Sequence, residues 1–454
     1  MKLTVAQALV RFLANQYSER DGIEQRLVPG VFGIFGHGNV AGVGQALLEM
    51  TEDMPYHLAR NEQAMVHAAV GFARMRNRAQ VLACTASIGP GSTNMLTGAA
   101  LATTNRIPVL LLPSDVFATR VASPVLQELE RPDAGDVSVN DAFRPLSVFF
   151  DRVWRPEQLP AALLGAMRAL TDPGATGAVT IALPQDVQAQ AHEWPDELFA
   201  RRVWHIARPV PEPAALARAV ELIRNSTAPL VVAGGGVHYS EATDALRRFA
   251  EATGIPVGDT QAGKGALAWD HPQAVGGVGA TGSPVANALA RSADLVIGVG
   301  TRWSDFTTAS RTAFQNPDAR FVNVNVAAFD AAKHAGEMLV ADAREALDAL
   351  TAALAGERWP RRWNTGVWNG LVDQAYHLGH EPLPAQTEVL GALNEEIGAR
   401  DVVVAAAGSM PGDLQKLWRA RDAKSYHVEY AYSCMGYEIA GALGVKMAAP
   451  DREV

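Results

Sequence analysis

Three stretches of the chain combine residue types that could do chemistry on a small polar ligand. Gly33-Ile34-Phe35-Gly36-His37-Gly38-Asn39 closes a strand-like run with three glycines, residues suited to positive φ or close backbone approach, around one histidine. Further on, Tyr56-His57-Leu58-Ala59-Arg60-Asn61-Glu62-Gln63-Ala64 leads into the Ala-rich helical run Met65 to Ala73. A carboxylate in a first helical turn is favoured by the helix dipole, and when desolvated its pKa rises until it can share a proton with a ligand nitrogen. Read from its neighbours alone, Glu62 is first a helix-start charge and second such a proton partner. The third stretch, Thr85-Ala86-Ser87-Ile88-Gly89-Pro90-Gly91-Ser92-Thr93-Asn94, follows a strand and opens a helix. Its small and hydroxylated residues make either a backbone-lined pocket or a plain tight turn.

Other chemistries find less support. Ala233-Gly234-Gly235-Gly236 also joins a strand to a helix, but it is not G-x-G-x-x-G and no acidic residue ends the next strand, so neither a nicotinamide nor FAD is expected there. His37, His57, His67 and His238 lack the paired spacing of metal ligands, and no metal site is expected within the chain. No G-x-S-x-G occurs.

The elements that must hold these residues alternate between apolar strands and Ala- and Leu-rich helices, the pattern of parallel sheets covered by helices. Strands are predicted at Gly30 to Phe35, Val81 to Thr85, Val109 to Leu112, Ala178 to Leu183, Leu230 to Ala233, Leu295 to Val299, Phe321 to Val326 and Val402 to Ala405. Helices are predicted at Met1 to Tyr17, Glu62 to Arg76, Gln158 to Thr171, Ala214 to Asn225, Ser240 to Thr253, Gln386 to Ile397 and Gly436 to Met447. A Pro-containing stretch, Arg201 to Pro213, and a Trp-rich one ending at Pro382 and Pro384 read as linkers. The fold class is therefore α/β, with three consecutive parallel-sheet domains at 1–195, 208–352 and 385–454, the third incomplete. Because that third block stops after a turn signal at a strand entrance, the chain is expected to be cut short.

Composition narrows the partners. With 39 basic and 48 acidic residues the net charge is −9, which argues against a general grip on nucleic acid or on an anionic membrane surface. No apolar run approaches the roughly 20 residues of a membrane helix, and no export signal is evident. Only Cys84 and Cys434 are present, so a reducing cytoplasm is the expected compartment.

Together the motifs carry a resemblance that none carries singly. Glu62 in Arg60-Asn61-Glu62-Gln63-Ala64, with Gly71-Phe72-Ala73-Arg74, resembles the H-E-x-x-A…G-Y-A-R signature of the thiamine diphosphate-dependent acetohydroxyacid synthase and pyruvate oxidase superfamily. Gly89-Pro90-Gly91-Ser92-Thr93-Asn94 with Thr97-Gly98 is similar to its G-P-G-x-T-N…T-G, and Thr260 to Ala266 with Gly300-Thr301-Arg302 to its central domain. Within the superfamily, Val31 to Val40, Leu112-Pro113-Ser114-Asp115 and Arg302 to Ser310 are most similar to the branch that opens cyclic 1,2-diones in inositol catabolism. A carboligase would instead be expected to show a Gln near Asp115 and no His37 loop.

The resemblance implies hydrolytic C–C cleavage of trihydroxycyclohexane-1,2-dione to 5-deoxy-glucuronate, with thiamine diphosphate and Mg²⁺ as cofactors. It implies that Glu62 hydrogen-bonds the pyrimidine N1′, that Gly408, Ser409 and Met410 lie by the diphosphate, that the Ser433 carbonyl accepts from the 4′ amino group, and that Met435 wedges between the rings. His37 (also a catalytic candidate), Asn39, Asp115 and Arg302 are expected to contact the polyol substrate, and a homodimer or tetramer is expected. The superfamily's Mg²⁺-holding G-D-G…N segment has no counterpart in the chain, which is therefore expected to be inactive alone. Two alternatives stay open: a carboligase or decarboxylase of 2-oxo acids, and a non-catalytic nucleotide-binding protein that kept the scaffold.

Overall fold

The computed structural model describes residues 1–454, which divide into two compact units, 1–207 with 436–450 and 208–435 with 451–454.

The first unit is built on six parallel strands: β1 (Val31–Gly33), β2 (Tyr56–Leu58), β3 (Ala83–Ala86), β4 (Val109–Asp115), β5 (Phe149–Arg152) and β6 (Ala178–Pro184), in the order β2-β1-β3-β4-β6-β5. Every residue of β4 and of β6 is buried, which is why both read as unbroken apolar runs rather than alternating ones. Helix Leu159–Thr171 packs Leu163, Met167 and Leu170 into the core on one face. Helix Glu62–Met75 packs instead against helix Tyr437–Ala448, so closely that Gly444 sits on the Ala68 backbone and Gly71 on Gly441.

Two expectations are corrected in this unit. Helix Met1 to Tyr17 is only Val5–Ala14: Thr4 starts it with a capping box closed by Gln7 (Gln7 N to Thr4 Oγ1, 3.1 Å), and Gln16–Arg20 turns away as a strand. The stretch Arg201 to Pro213 is not all linker. Arg202–His205 is a strand running parallel to Gln16–Arg20, with the Trp204 indole donating to the Gln16 amide oxygen at 3.0 Å. Lys2–Thr4 pairs antiparallel with Ala191–Glu193 in a separate two-stranded sheet. Helix Tyr437–Ala448 packs in this unit through Gly441 and Gly444, which make a flat face that fits Ala68 and Gly71.

In the second unit six parallel strands, β7 (Pro229–Ala233), β8 (Val257–Asp259), β9 (Ala274–Gly277), β10 (Leu295–Val299), β11 (Arg320–Asn325) and β12 (Glu337–Val340), take the order β9-β8-β7-β10-β11-β12. The strand order reverses between β7 and β10, the usual place for a ligand crevice in such sheets. Here the two following loops meet backbone to backbone, with Gly236 N donating to Gly300 O at 3.0 Å. The Trp-rich stretch read as linker contains helix Gly366–Tyr376, anchored by the buried Tyr376, whose hydroxyl donates to Leu417 O at 2.5 Å. A parallel pair, β13 (Val403–Ala405) and β14 (Tyr426–Val428), packs with helices Gln386–Glu396 and Met410–Leu417 around Leu390, Leu414 and Trp418.

Candidate functional site

The C-terminal ends of parallel strands are where an α/β sheet leaves its loops free to hold a ligand. In the first unit β1, β3 and β4 deliver three loops to this edge. Residues 34–39 follow β1, residues 87–89 follow β3, and the long segment 116–138 follows β4.

Glu62 is the first residue of its helix, and Asn61 caps that helix by accepting from Ala64 N at 2.9 Å. Its carboxylate accepts from Asn94 Nδ2 at 3.0 Å and lies beside Gly91, so the G-P-G-S-T-N loop supplies a hydrogen bond and presents no side chain of its own at Gly91. Glu62 is half-buried, because the helix start emerges at the edge of the sheet.

His37 is half-buried, with Nε2 at 3.2 Å from Leu126 O in the segment after β4. That segment also brings Gln127 against Gly89, whose φ of +61° no other residue would hold easily and whose added Cβ would lie 2.7 Å from Gln127 Cβ.

Two expected substrate contacts are otherwise engaged. Asn39 is 1% exposed, and its carboxamide ties its own loop: Oδ1 accepts from Gly36 N (3.0 Å), and Nδ2 donates to Ile34 O (3.1 Å) and Thr85 Oγ1 (3.3 Å). Asp115, also 1% exposed, pairs with Arg152 Nε at 2.6 Å, while Arg152 Nη2 reaches Ser138 Oγ (3.0 Å) and Asp141 (3.3 Å). Both hold structure, so neither faces a ligand in this conformation.

The remaining expected residues lie in the second unit. Gly408, Ser409 and Met410 are exposed between β13 and helix Met410–Leu417, with Gly408 at φ +103° and nothing crowding it. Their free backbone at a helix start suits an anionic group. Ser433 has φ +55° and Met435 is 79% exposed. This turn is shaped by a residue the sequence reading missed: Glu429, 1% exposed, accepts from Tyr432 N (2.9 Å) and Cys434 N (3.0 Å). Arg302, half-buried, follows β10, and its carbonyl accepts from Lys333 Nζ at 2.6 Å.

A separate cavity of about 60 Å³ in the second unit is lined by Asp259, Lys264, Trp269, Trp368 and Arg419 among others. Burial pushes the Asp259 carboxyl up and the Lys264 ammonium down, and Lys264 Nζ donates to Gln415 O at 2.9 Å. Its size suits a few water molecules rather than a substrate. None of the expected site residues lines it. No group of three or more His, Cys, Asp or Glu side chains is gathered to hold a metal ion. No helix is long and apolar enough to cross a membrane.

Comparison with known proteins agrees along the chain. Residues 3–134 match the family model described as "Thiamine pyrophosphate enzyme, N-terminal TPP binding domain", residues 216–350 its central domain and residues 406–454 its C-terminal TPP binding domain. The chain is 50% identical over its whole length to the 3D-(3,5/4)-trihydroxycyclohexane-1,2-dione hydrolase of Geobacillus thermodenitrificans, of which it covers 75%. It is 47% identical, with the same coverage, to the proteins of that name from Bacillus thuringiensis and Bacillus cereus.

Proposed function

Because the chain belongs to the thiamine pyrophosphate enzyme family, we propose that it opens the ring of a trihydroxycyclohexane-1,2-dione by hydrolysis, giving 5-deoxy-glucuronate in inositol catabolism. The observation that carries this reading is the 50% identity to a hydrolase so named, across the whole chain. The loops around Glu62 and His37 support it. We read the chain as three domains, 1–195, 208–352 and 385–454, and the family matches fall inside them.

When bound, thiamine diphosphate supplies the electron sink for the carbon–carbon bond that breaks. Glu62 fits the pyrimidine end: it stands at a helix start beside the side-chain-free Gly91 and is held by Asn94 so that it can share one proton with a ring nitrogen. Gly408, Ser409 and Met410 fit the diphosphate end through free backbone, and the Ser433 carbonyl and the exposed Met435 fit the ring bend. His37 offers one ring nitrogen to a hydroxyl of the substrate while the other faces Leu126 O. Arg302 is a further contact. Asn39 and Asp115 act through the loops they hold. Mg²⁺ completes this reading, but the side chains present make no set of carboxylates that fits it, and no step here passes through it.

A homodimer or tetramer is also part of the reading, and Ile439 and Leu443, exposed one helical turn apart, are surface that such an assembly would cover. Both cysteines are free, in keeping with a cytoplasmic setting. A second reading, a carboligase or decarboxylase of 2-oxo acids, shares the family's thiamine pyrophosphate domains.

The test is to supply the protein, in a form that spans the full length of the relatives it matches, with thiamine diphosphate, Mg²⁺ and either the cyclic dione or pyruvate, and to identify product by mass. Dione gaining one water supports hydrolysis; turnover of pyruvate alone transfers the assignment to the second reading. Glu62→Gln should then lower turnover by about 10²-fold or more with an unchanged circular dichroism spectrum. Equal turnover by this variant refutes the role of Glu62.

A further inference from the structure

The loop that presents His37 is held from outside by a residue 150 positions away. Gln188, 1% exposed, ends the short helix Gln185–Gln188 after β6. Its Nε2 donates to Gly38 O (2.9 Å), to Leu183 O at the end of β6 (2.9 Å) and, more weakly, to Ser114 Oγ on β4 (3.3 Å). Its Oε1 accepts from Val43 N at 3.2 Å. One carboxamide thus joins two strand ends of the sheet to both sides of a turn that includes five residues of π-helix, Val40–Gly44. Gly42 has no room for a side chain, since an added Cβ would lie 2.6 Å from Gln188 Cβ and 3.0 Å from Cδ. A π-turn is rare and is found mostly as a single turn, frequently at a functional site.

We infer that Gln188 is a positioning residue: it fixes the Gly36–Gly44 loop and so sets where His37 stands. The inference rests on the proposed reading only in taking His37 as a substrate contact. A buried carboxamide making four polar contacts cannot be replaced by an apolar group without leaving Val43 N and Gly38 O unpaired.

Hydrogen exchange read by mass spectrometry on the whole 454-residue protein tests the structural half without any substrate. In Gln188→Met, which keeps length and loses the hydrogen bonds, amides in residues 38–44 should exchange about tenfold faster or more, while β6 and helix Glu62–Met75 keep their protection. Gly42→Ala, which pushes on Gln188 from the other side, should loosen the same peptide. Loop exchange within twofold of wild type in both variants overturns the inference, as does loosening spread evenly over the whole unit.

The functional half is read with the dione. Gln188→Met should raise KM about tenfold with thiamine diphosphate affinity unchanged, whereas a general loss of folded protein would lower kcat and leave KM alone. An unchanged KM overturns it. If the wild type does not act on the dione, the reading of function fails, and the loop exchange still decides the role of Gln188.

Discussion

The contact between helices Glu62–Met75 and Tyr437–Ala448 makes Gly444→Ala and Gly370→Ala opposite in sign, although both replace a helical glycine. At Gly444 an added Cβ would press on the Ala68 carbonyl oxygen and lie 2.7 Å from its carbon and 2.8 Å from Phe72 N, where ordinary contact begins near 3.4 Å. The obstacle is backbone of another helix, so the helices must part rather than a rotamer turn. Overpacking of this kind costs about 1–3 kcal/mol, and with a rigid obstacle the upper end applies. Alanine returns about 1 kcal/mol of helix propensity, leaving a net loss of about 2 kcal/mol. For a unit of this size each kcal/mol moves Tm by about 2–4 °C, so the transition of the first unit should fall by about 4–8 °C. Gly370, in helix Gly366–Tyr376, has nothing within 4 Å of the same added atom, and alanine there should stabilise by about 0.5–1 kcal/mol. Differential scanning calorimetry of the wild type and the two single variants decides it. A Gly444→Ala melt at or above wild type refutes the close packing.

Two further perturbations probe buried charge. Arg152→Met strips the Asp115 carboxylate of its cation while leaving it buried, and should cost about 3–5 kcal/mol in urea unfolding followed at the first unit; a loss under about 1 kcal/mol contradicts a desolvated pair. His67, packed against the Tyr437 ring at 5.5 Å, is held by burial at about 4 from an ordinary 6.5. The folded protein therefore favours the neutral ring. Its contribution is fully present above pH 6.5 and is lost as pH falls toward 4, about 3 kcal/mol in all. Melts of the wild type should fall more steeply over that window than those of His67→Leu, and parallel curves would show that His67 titrates normally.

Much of the scaffold was legible because it is local. Fully buried strands such as β4 and β6 announce themselves as apolar runs, and the helix carrying Glu62 begins at Asn61, a residue type that caps helices. What escaped the sequence depends on partners far along the chain. Arg202–His205 is a strand only because Gln16–Arg20 lies beside it, and proline nearby made it read as linker. Helix Gly366–Tyr376 is amphipathic only weakly and is fixed by Tyr376 reaching Leu417. The site shows the same division. Glu62, His37 and the loop 87–94 could be singled out by type and spacing, and they do converge on one sheet edge. Asp115 and Asn39 have the right chemistry for a polyol, but Arg152 and the loop's own amides claim them, and no local pattern gives that away. Gln127, Gln188 and Glu429 are polar residues in ordinary surroundings until the fold buries or seats them.

The opening strands of the first unit set an order of events. Lys2–Thr4 has its partner at Ala191–Glu193, and Gln16–Arg20 has one of its two at Arg202–His205. While the chain is being made, these two strands must therefore wait until position 205 has appeared, and the helix that covers Ala68 and Gly71 arrives later still. Segments made early are thus locked late, with their strand edges unpaired in the meantime.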